Sequence, residues 1–268
     1  VLLYADICEI YGFLNEDSCL YYATRGMELS QKINDPEGHT RMLYSFGTYY
    51  LNTGNLPEAL KWFIQGQQIA AKNKDKTSIA RGLFGFGLLY KSIDPATAIR
   101  DMLKARDMIK SEVNGQKQLI DRIDINLGIC YMDLNQLDSA FIYLNDLYLR
   151  TSPDDFHYSP ALLFFGSLQS KMGRTDEAIK LLKQSLTVTQ KDNDHYTAAD
   201  SYYYLAESYN NLNIPDSAIY FAQMAFDEAK QVDRKNQMLH SANLLVKLYE
   251  PVNLAESYRY LKTARDIN

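Results

Sequence analysis

Apolar residues along this chain come in short runs, and each run opens the same way: a polar or acidic residue, a small residue, then an apolar or aromatic stretch. The runs read Asp17-Ser18-Cys19-Leu20-Tyr21-Tyr22, Pro57-Glu58-Ala59-Leu60-Lys61-Trp62-Phe63 and Ala96-Thr97-Ala98-Ile99 in the first part of the chain. They continue with Asp138-Ser139-Ala140-Phe141-Ile142-Tyr143, Asp176-Glu177-Ala178-Ile179, Asp216-Ser217-Ala218-Ile219-Tyr220-Phe221 and Glu256-Ser257-Tyr258-Arg259-Tyr260. Their small residues at 19, 59, 98, 140, 178, 218 and 257 are separated by 40, 39, 42, 38, 40 and 39 positions. A second marker keeps the same phase: Gly47, Gly87, Gly128, Gly166, Ala206 and Val246. All but Gly166 are followed three residues later by a tyrosine, namely Tyr50, Tyr90, Tyr131, Tyr209 and Tyr249; Gln169 breaks the series. Unrelated amphipathic helices would not hold two markers in phase over five intervals, so the chain is read as an internal repeat.

Between the markers lie turn signals such as Thr53-Gly54-Asn55, Leu134-Asn135-Gln136, Met172-Gly173-Arg174 and Leu212-Asn213-Ile214-Pro215. Gly and Asn supply the left-handed residue that ends a helix. The Asp-Ser or Asp-Glu that follows is expected to cap the next helix and place negative charge at its start. Each unit is thus predicted to be two helices joined by a tight turn. The small residue lets the partner helix approach, and a large one three or four positions on fills the adjacent gap. The units fall at about 1–34, 35–75, 76–115, 116–153, 154–193, 194–234 and 235–268, in one repeat domain over 1–268.

The Gly or Ala followed by Tyr, the Gly/Asn turn, the Ala and a final small residue (Gly66, Ala105, Ser185, Ala225) resemble the tetratricopeptide repeat over essentially the whole chain. The resemblance implies an all-α, right-handed α-α superhelix of about seven helix pairs. The usual unit has about 34 residues, and the longer one here is similar to the repeats of two bacterial groups. One comprises the sensor segments of membrane-bound histidine kinases and transcriptional regulators, which Asp216-Ser217-Ala218-Ile219-Tyr220-Phe221-Ala222 resembles more; the other comprises peptide-pheromone receptors. The third and seventh units depart from the pattern, with a shorter turn carrying Asp94-Pro95 and Pro251-Val252.

Composition changes this picture little. Of 268 residues, 46% are hydrophobic and 23% charged, which suits a folded core. The net charge of −5 argues against a chain-wide nucleic-acid footprint. Cys8, Cys19 and Cys130 form no CxxC pair and no spacing with histidine that suggests zinc; they read as small core residues. No run approaches the length of about 20 apolar residues that a membrane-spanning helix needs. The chain starts at Val1 within a stretch that reads as helix, and reads as a segment of a longer protein.

Catalytic chemistry is not signalled. His39, His157, His195 and His240 lie in or beside the joints between units and read as surface or capping residues. Gly82-Leu83-Phe84-Gly85-Phe86-Gly87 with Lys91-Ser92 lacks the GK[ST] ending and the preceding strand of a phosphate loop, so its glycines read as helix-packing points. No catalytic residue, metal ligand or cofactor is therefore expected.

A binding face is legible, because the first helix of each pair lines the concave side of a repeat solenoid. Counting from the Gly/Ala marker places Arg41, Arg81 and Arg122 in one row, with Tyr44 and Phe84 in a second. Thr48 and Glu207 stand in a third row, and Asn126 and Tyr203 complete the candidate surface. Arginine forks bind carboxylates in pairs, so the stripe would suit a protein or peptide partner carrying acidic groups, with exposed aromatics as anchors. The competing reading is that these arginines pair with acids of the neighbouring unit.

The sensor resemblance implies partner or ligand sensing in a bacterial signal-transduction protein on the extracytoplasmic side, with any enzyme activity in another module. A cytoplasmic peptide-pheromone-type receptor and a structural adaptor are the alternatives. No direct nucleic-acid contact is expected, membrane association would come only through flanking segments, and homodimerisation is left open.

Overall fold

The computed structural model describes residues 1–14, 16–111 and 116–267. The side chains of 9–17, including the Asp17 that opens the first short run, lie outside the described residues. Among the described residues there are fourteen helices and no strand. In order they are α1 (Leu2–Leu14), α2 (Glu16–Lys32), α3 (Pro36–Asn52), α4 (Leu56–Asn73), α5 (Lys76–Tyr90), α6 (Pro95–Ile109) and α7 (Lys117–Asp133). The second seven are α8 (Leu137–Arg150), α9 (Tyr158–Lys171), α10 (Thr175–Asp192), α11 (His195–Asn211), α12 (Pro215–Gln231), α13 (Lys235–Tyr249) and α14 (Leu254–Ile267). No helix is long and apolar enough to cross a membrane among the described residues. Residue contacts divide the chain into two compact units, 1–130 and 131–268.

The turns follow the sequence signals closely. Left-handed residues close the turn within a pair at Gly54, Asn135, Gly173 and Asn213. They close the joint between pairs at Asn34, Lys74, Asn193 and Asp233. The third and seventh pairs use none: α5 and α13 end in right-handed residues, Lys91 and Glu250, before their shorter turns. The capping expectation needs correction. Asp138, Asp176 and Asp216 sit inside the first turns of α8, α10 and α12, whose cap positions Gln136, Arg174 and Ile214 make no side-chain cap bond. Those aspartates act on the helix dipole alone. Side-chain caps come from Asp35, Asn55, Asp75, Asp94 and Asp194, each accepting a backbone N–H three residues on.

In unit 1–130 the small-residue marker works by admitting one large side chain. Phe63 of α4 is 1% exposed. A Cβ added at Gly47 of α3 would stand 2.5 Å from its ring, and one at Gly85 of α5 would stand 2.6 Å away. Gly87 meets Met102 of α6 at 2.7 Å in the same way. The glycine run 82–87 is therefore continuous helix packed on aromatic and thioether groups, with no loop for a phosphate. All three cysteines are buried, as the sequence suggested, and the Cys8 thiol donates to the Cys19 carbonyl of α2 at 3.5 Å.

In unit 131–268 the marker is Gly166, where an added Cβ would stand 3.1 Å from Leu182, and then Ala206. Ala206, Ala218, Ala222 and Ala242 form a core with Leu245 and Tyr260. The marker tyrosines stack on an aromatic of the following helix: Tyr131 on Tyr143, Tyr209 on Phe221 and Tyr249 on Tyr260, with centroids 5.3–5.9 Å apart. Tyr50 and Trp62 repeat this arrangement in unit 1–130 with planes 6° apart. Where Gln169 replaces the tyrosine, its Oε1 instead accepts from Arg174 at 3.1 Å and so holds the turn by a hydrogen bond.

Gly85→Ala is expected to cost about 1–3 kcal/mol of stability, because the Phe63 ring must leave its rotamer. Gly54→Asn, at φ +79° with nothing within 4 Å, should cost under about 1 kcal/mol, since Asn tolerates the left-handed region. Denaturant unfolding of the two variants measures the contrast, and equal losses would contradict the packing argument.

Candidate binding cleft

The repeat register brings Arg41, Arg81 and Arg122 to one place in unit 1–130. They line a narrow cleft of about 40 Å³ between α3, α5 and α7. Tyr44, Ser45 and Thr48 of α3 line it as well, as do Phe84, Gly85 and Leu88 of α5. Leu119 of α7, Phe63 of α4 and Cys8 of α1 complete the lining. Three guanidinium groups and, among the described residues, no carboxylate line this wall. The space suits a group the size of a carboxylate, since a single water already needs roughly 10–15 Å³ by this measure.

Each arginine is held differently. Arg41 is 9% exposed and its Nη2 donates to Asp6 Oδ1 of α1 at 2.7 Å. That is the pairing with a neighbouring repeat which the sequence left as the competing reading. Arg122 lies over the Phe84 ring, 5.2 Å from its centroid. Arg81 is close enough to Tyr44 for its charge to favour the ionised phenol. Burial outweighs that effect and pushes the Tyr44 pKa up, with Asp75 adding to it. The Tyr44 hydroxyl donates to Gln67 Oε1 at 3.1 Å.

The expected exposure of the aromatics is not what the structure shows: Tyr44 is 7% and Phe84 4% exposed. For Tyr44 the cause is the glycine content of the neighbouring helices. Gly66 and Gly82 open space that the Tyr44 ring and hydroxyl occupy. Both rings therefore form a floor, and the polar edge of the cleft is left to the arginines and to Thr48, whose hydroxyl donates to the Tyr44 carbonyl at 3.1 Å.

The other three candidate residues lie elsewhere. Asn126 is on α7, outside the cleft wall; its Nδ2 donates to the Arg122 carbonyl at 2.9 Å and its Oδ1 accepts from Lys91 at 3.5 Å. Tyr203 and Glu207 belong to α11 in unit 131–268, where the Tyr203 hydroxyl donates to Glu207 Oε1 at 3.3 Å. Burial raises the Glu207 pKa, while Tyr203, Lys171, Lys247 and His240 oppose it. Burial likewise raises Asp200, against the pull of Arg234 at 3.1 Å.

Sequence reasoning missed Asp6, Cys8, Ser45 and Phe63. Ser45 and Gly85 share a register position that the counting skipped, so a fuller count finds them. Asp6 and Cys8 stand in the first unit, where no Gly/Ala marker starts the count.

Among the histidines, His157 is buried at 6%, so it is not a surface residue. His195 Nδ1 meets Glu228 at 2.6 Å, and His39 Nδ1 meets Ser30 at 3.3 Å. No group of three His, Cys, Asp or Glu side chains among the described residues could hold a metal ion.

Helix pairs of about 40 residues, small residues at the crossings and a polar row on the first helices define a tetratricopeptide-type helical repeat protein. The profile of the SusR N-terminal TPR domain matches residues 2–187, and the chain belongs to that family. Several solved structures share the fold at low identity. The apo form of RapI is 14% identical with TM-score 0.68, the alignment covering 99% of this chain and 96% of that one. Aspartyl phosphate phosphatase F from Bacillus subtilis is 17% identical with TM-score 0.71, covering 99% and 70%. The Rap conjugation gene regulator of the plasmid pLS20, solved with the Phr* peptide, is 18% identical with TM-score 0.68, covering 89% and 66%. Comparison with curated protein sequences gives no match.

The raised pKa of Glu207 means that the folded chain holds a proton there more tightly than the unfolded chain does. Folding is thus favoured as pH falls through the folded pKa, and the charged form carries a penalty above it. Glu207→Gln is expected to raise stability at neutral pH, with the gain shrinking as pH falls to about 4. Denaturant titrations at both pH values read this; a loss of stability at neutral pH would contradict it.

Proposed function

We propose that this domain is the ligand- or partner-sensing region of a bacterial signal-transduction protein, and that its ligand is a peptide segment bearing a carboxylate. The observation that carries this reading is the cleft of unit 1–130, where Arg41, Arg81 and Arg122 meet over a floor of Tyr44, Phe84 and Phe63. Guanidinium forks recognise carboxylates in two directions at once, and they do so more strongly where water is partly excluded. An apolar floor beneath them fits the side chain next to the acidic group. Membership of the SusR N-terminal TPR family and the fold shared with a Rap protein solved with the Phr* peptide support a peptide ligand and a regulatory output.

In this reading the output module, a transcriptional regulator or histidine kinase, lies outside this segment. Binding changes the packing of the first helices, and that change is what the output module reads. The peptide-pheromone-type receptor differs only in how the segment is attached, and the adaptor reading lacks any change on binding.

An array of short peptides, with and without acidic residues, tests the ligand class directly. Arg81→Ala with Arg122→Ala is expected to weaken acidic-peptide binding at least tenfold, about 1.4 kcal/mol, while leaving the circular-dichroism spectrum helical. Undiminished binding by the double variant, or no preference for acidic peptides, would remove the cleft from the function.

A further inference from the structure

Cys8 stands 11 residues before Cys19, the spacing that separates Gly87 from Ala98 in the third pair and Val246 from Ser257 in the seventh. A tyrosine, Tyr11, follows Cys8 three residues later, as one follows most of the markers. The two cysteines therefore hold the two small-residue positions of the first pair, where its helices cross. Contacts at this register recur. A Cβ added at Gly87 would stand 3.2 Å from the Ala98 carbonyl oxygen, and the Ser257 hydroxyl donates to the Val246 carbonyl at 3.0 Å. In the first pair sulfur makes both contacts: the Cys8 thiol donates to the Cys19 carbonyl at 3.5 Å, and the Cys19 thiol to the Cys8 carbonyl at 3.8 Å. Each sulfur thus reaches the backbone of the other residue. Packed helices have axes about 8–10 Å apart and Cα atoms about 2.3 Å from the axis, which brings facing positions to about 3.5–5.5 Å. A disulfide requires Cα atoms about 4.4–6.8 Å apart, and the two ranges overlap.

Both residues belong to an apolar cluster with Ala23 and Phe46, but Cys8 also lines the cleft of about 40 Å³. That space admits a molecule as small as hydrogen peroxide, since a water needs roughly 10–15 Å³, and it is too small for a peptide disulfide. We propose that Cys8 and Cys19 are an oxidation site of the first helix pair: a hydroperoxide entering the cleft oxidises Cys8, and Cys19 closes the product to a disulfide. In the first step the Cys8 sulfur attacks one peroxide oxygen and the O–O bond breaks. Cys8 becomes a sulfenic acid, and the second oxygen leaves as water with the thiol proton. In the second step the Cys19 sulfur attacks that of Cys8, the S–O bond breaks, and hydroxyl leaves as water with the Cys19 proton. In sum two thiols and one hydrogen peroxide give one disulfide and two waters; sulfur is oxidised and peroxide oxygen reduced. The product is apolar, stays within the cluster and ties α1 to α2 at the wall of the cleft until a thiol reduces it. The inference does not depend on what the cleft binds.

The test treats the whole folded chain with hydrogen peroxide, quenches it in acid, then unfolds it and alkylates the remaining thiols. Cleavage after Glu9 and Glu16 puts Cys8 on peptide 1–9 and Cys19 on peptide 17–28. The two are expected to leave the alkylated pool together and reappear as one linked peptide that has lost two hydrogens, while Cys130 stays alkylated. Dithiothreitol added before alkylation should return both. C19S keeps a hydroxyl at the register where Ser257 stands in the seventh pair, and it removes the sulfur that closes the disulfide. Its Cys8 should pass on to sulfinic acid, which dithiothreitol does not reverse. The main readout uses the wild type, so it stands even where C19S folds poorly.

The proposal is overturned if the wild type keeps Cys8 and Cys19 alkylatable under peroxide. It is equally overturned if the linked peptide contains Cys130 or joins two chains, or if wild-type Cys8 runs to sulfinic acid without a link. Circular dichroism during the treatment follows the helices, and a link that forms only after helicity is lost also counts against it. The reading of the cleft as a peptide site is judged separately, by whether acidic peptides on the array bind and lose binding in the Arg81 and Arg122 variants.

Discussion

The structure depends on one steric arrangement: a residue with little or no side chain on one helix and a large side chain from the next helix filling the space it leaves. In unit 1–130 the Phe63 ring fits between Gly47 and Gly85, where a single added carbon on either glycine would stand within 2.6 Å of it. Close approach of this kind lets each helix contact both the helix before it and the one after it, and a chain of pairs can then share a continuous apolar interior. In unit 131–268 Ala206, at 0% exposure, holds the place of Gly47, and Ala218 and Ala222 of the next helix pack in the same core. Gly47 admits the Phe63 ring, Gly87 the Met102 thioether and Gly166 the Leu182 side chain, so one marker position serves different neighbours within a constant period.

The same arrangement builds the cleft. Because Tyr44 sinks into space left by Gly66 and Gly82, the first helices of successive pairs approach closely enough for arginines about forty residues apart to face one space. Repetition that brings like charges together raises an electrostatic problem, and this unit answers it locally. Arg41 takes a carboxylate from α1 and Arg122 covers the face of Phe84. On α6 and α7, Arg106 holds the fully buried Asp124 with two hydrogen bonds at 2.6 and 3.2 Å, a bidentate pairing that keeps a buried acid compensated. Arg41 and Arg106 thus each stand against a carboxylate of another helix, while Arg122 rests on an aromatic face.

Unit 131–268 treats its inner helices differently. Asp200 stands at the register that carries arginines in unit 1–130 and takes its charge partner from Arg234, which also donates to the Tyr196 carbonyl, while Glu207, at the register of Thr48, accepts from the Tyr203 phenol. The repeat pattern is common to both units, but the charge it displays is set position by position. The fold therefore does not dictate a ligand.

The period, the seven helix pairs and the turns were legible in the sequence because each depends on residues close along the chain. Glycine and asparagine at Gly54, Asn135, Gly173 and Asn213 adopt left-handed backbone by local preference, and small residues recur because helix contact recurs. The alignment of Arg41, Arg81 and Arg122 was legible for the same reason, since a constant period maps onto a constant direction. Tertiary structure alone decided the burial of Phe84 and of Tyr44, the latter through glycines of other helices. It alone decided that Lys74 turns left-handed, which its side chain does not favour, and that Asp138, Asp176 and Asp216 stand inside their helices. It also chose Asp6 as the partner of Arg41. An ion pair across 35 residues follows from how α1 lies against α3, and no local pattern in the sequence encodes that distance.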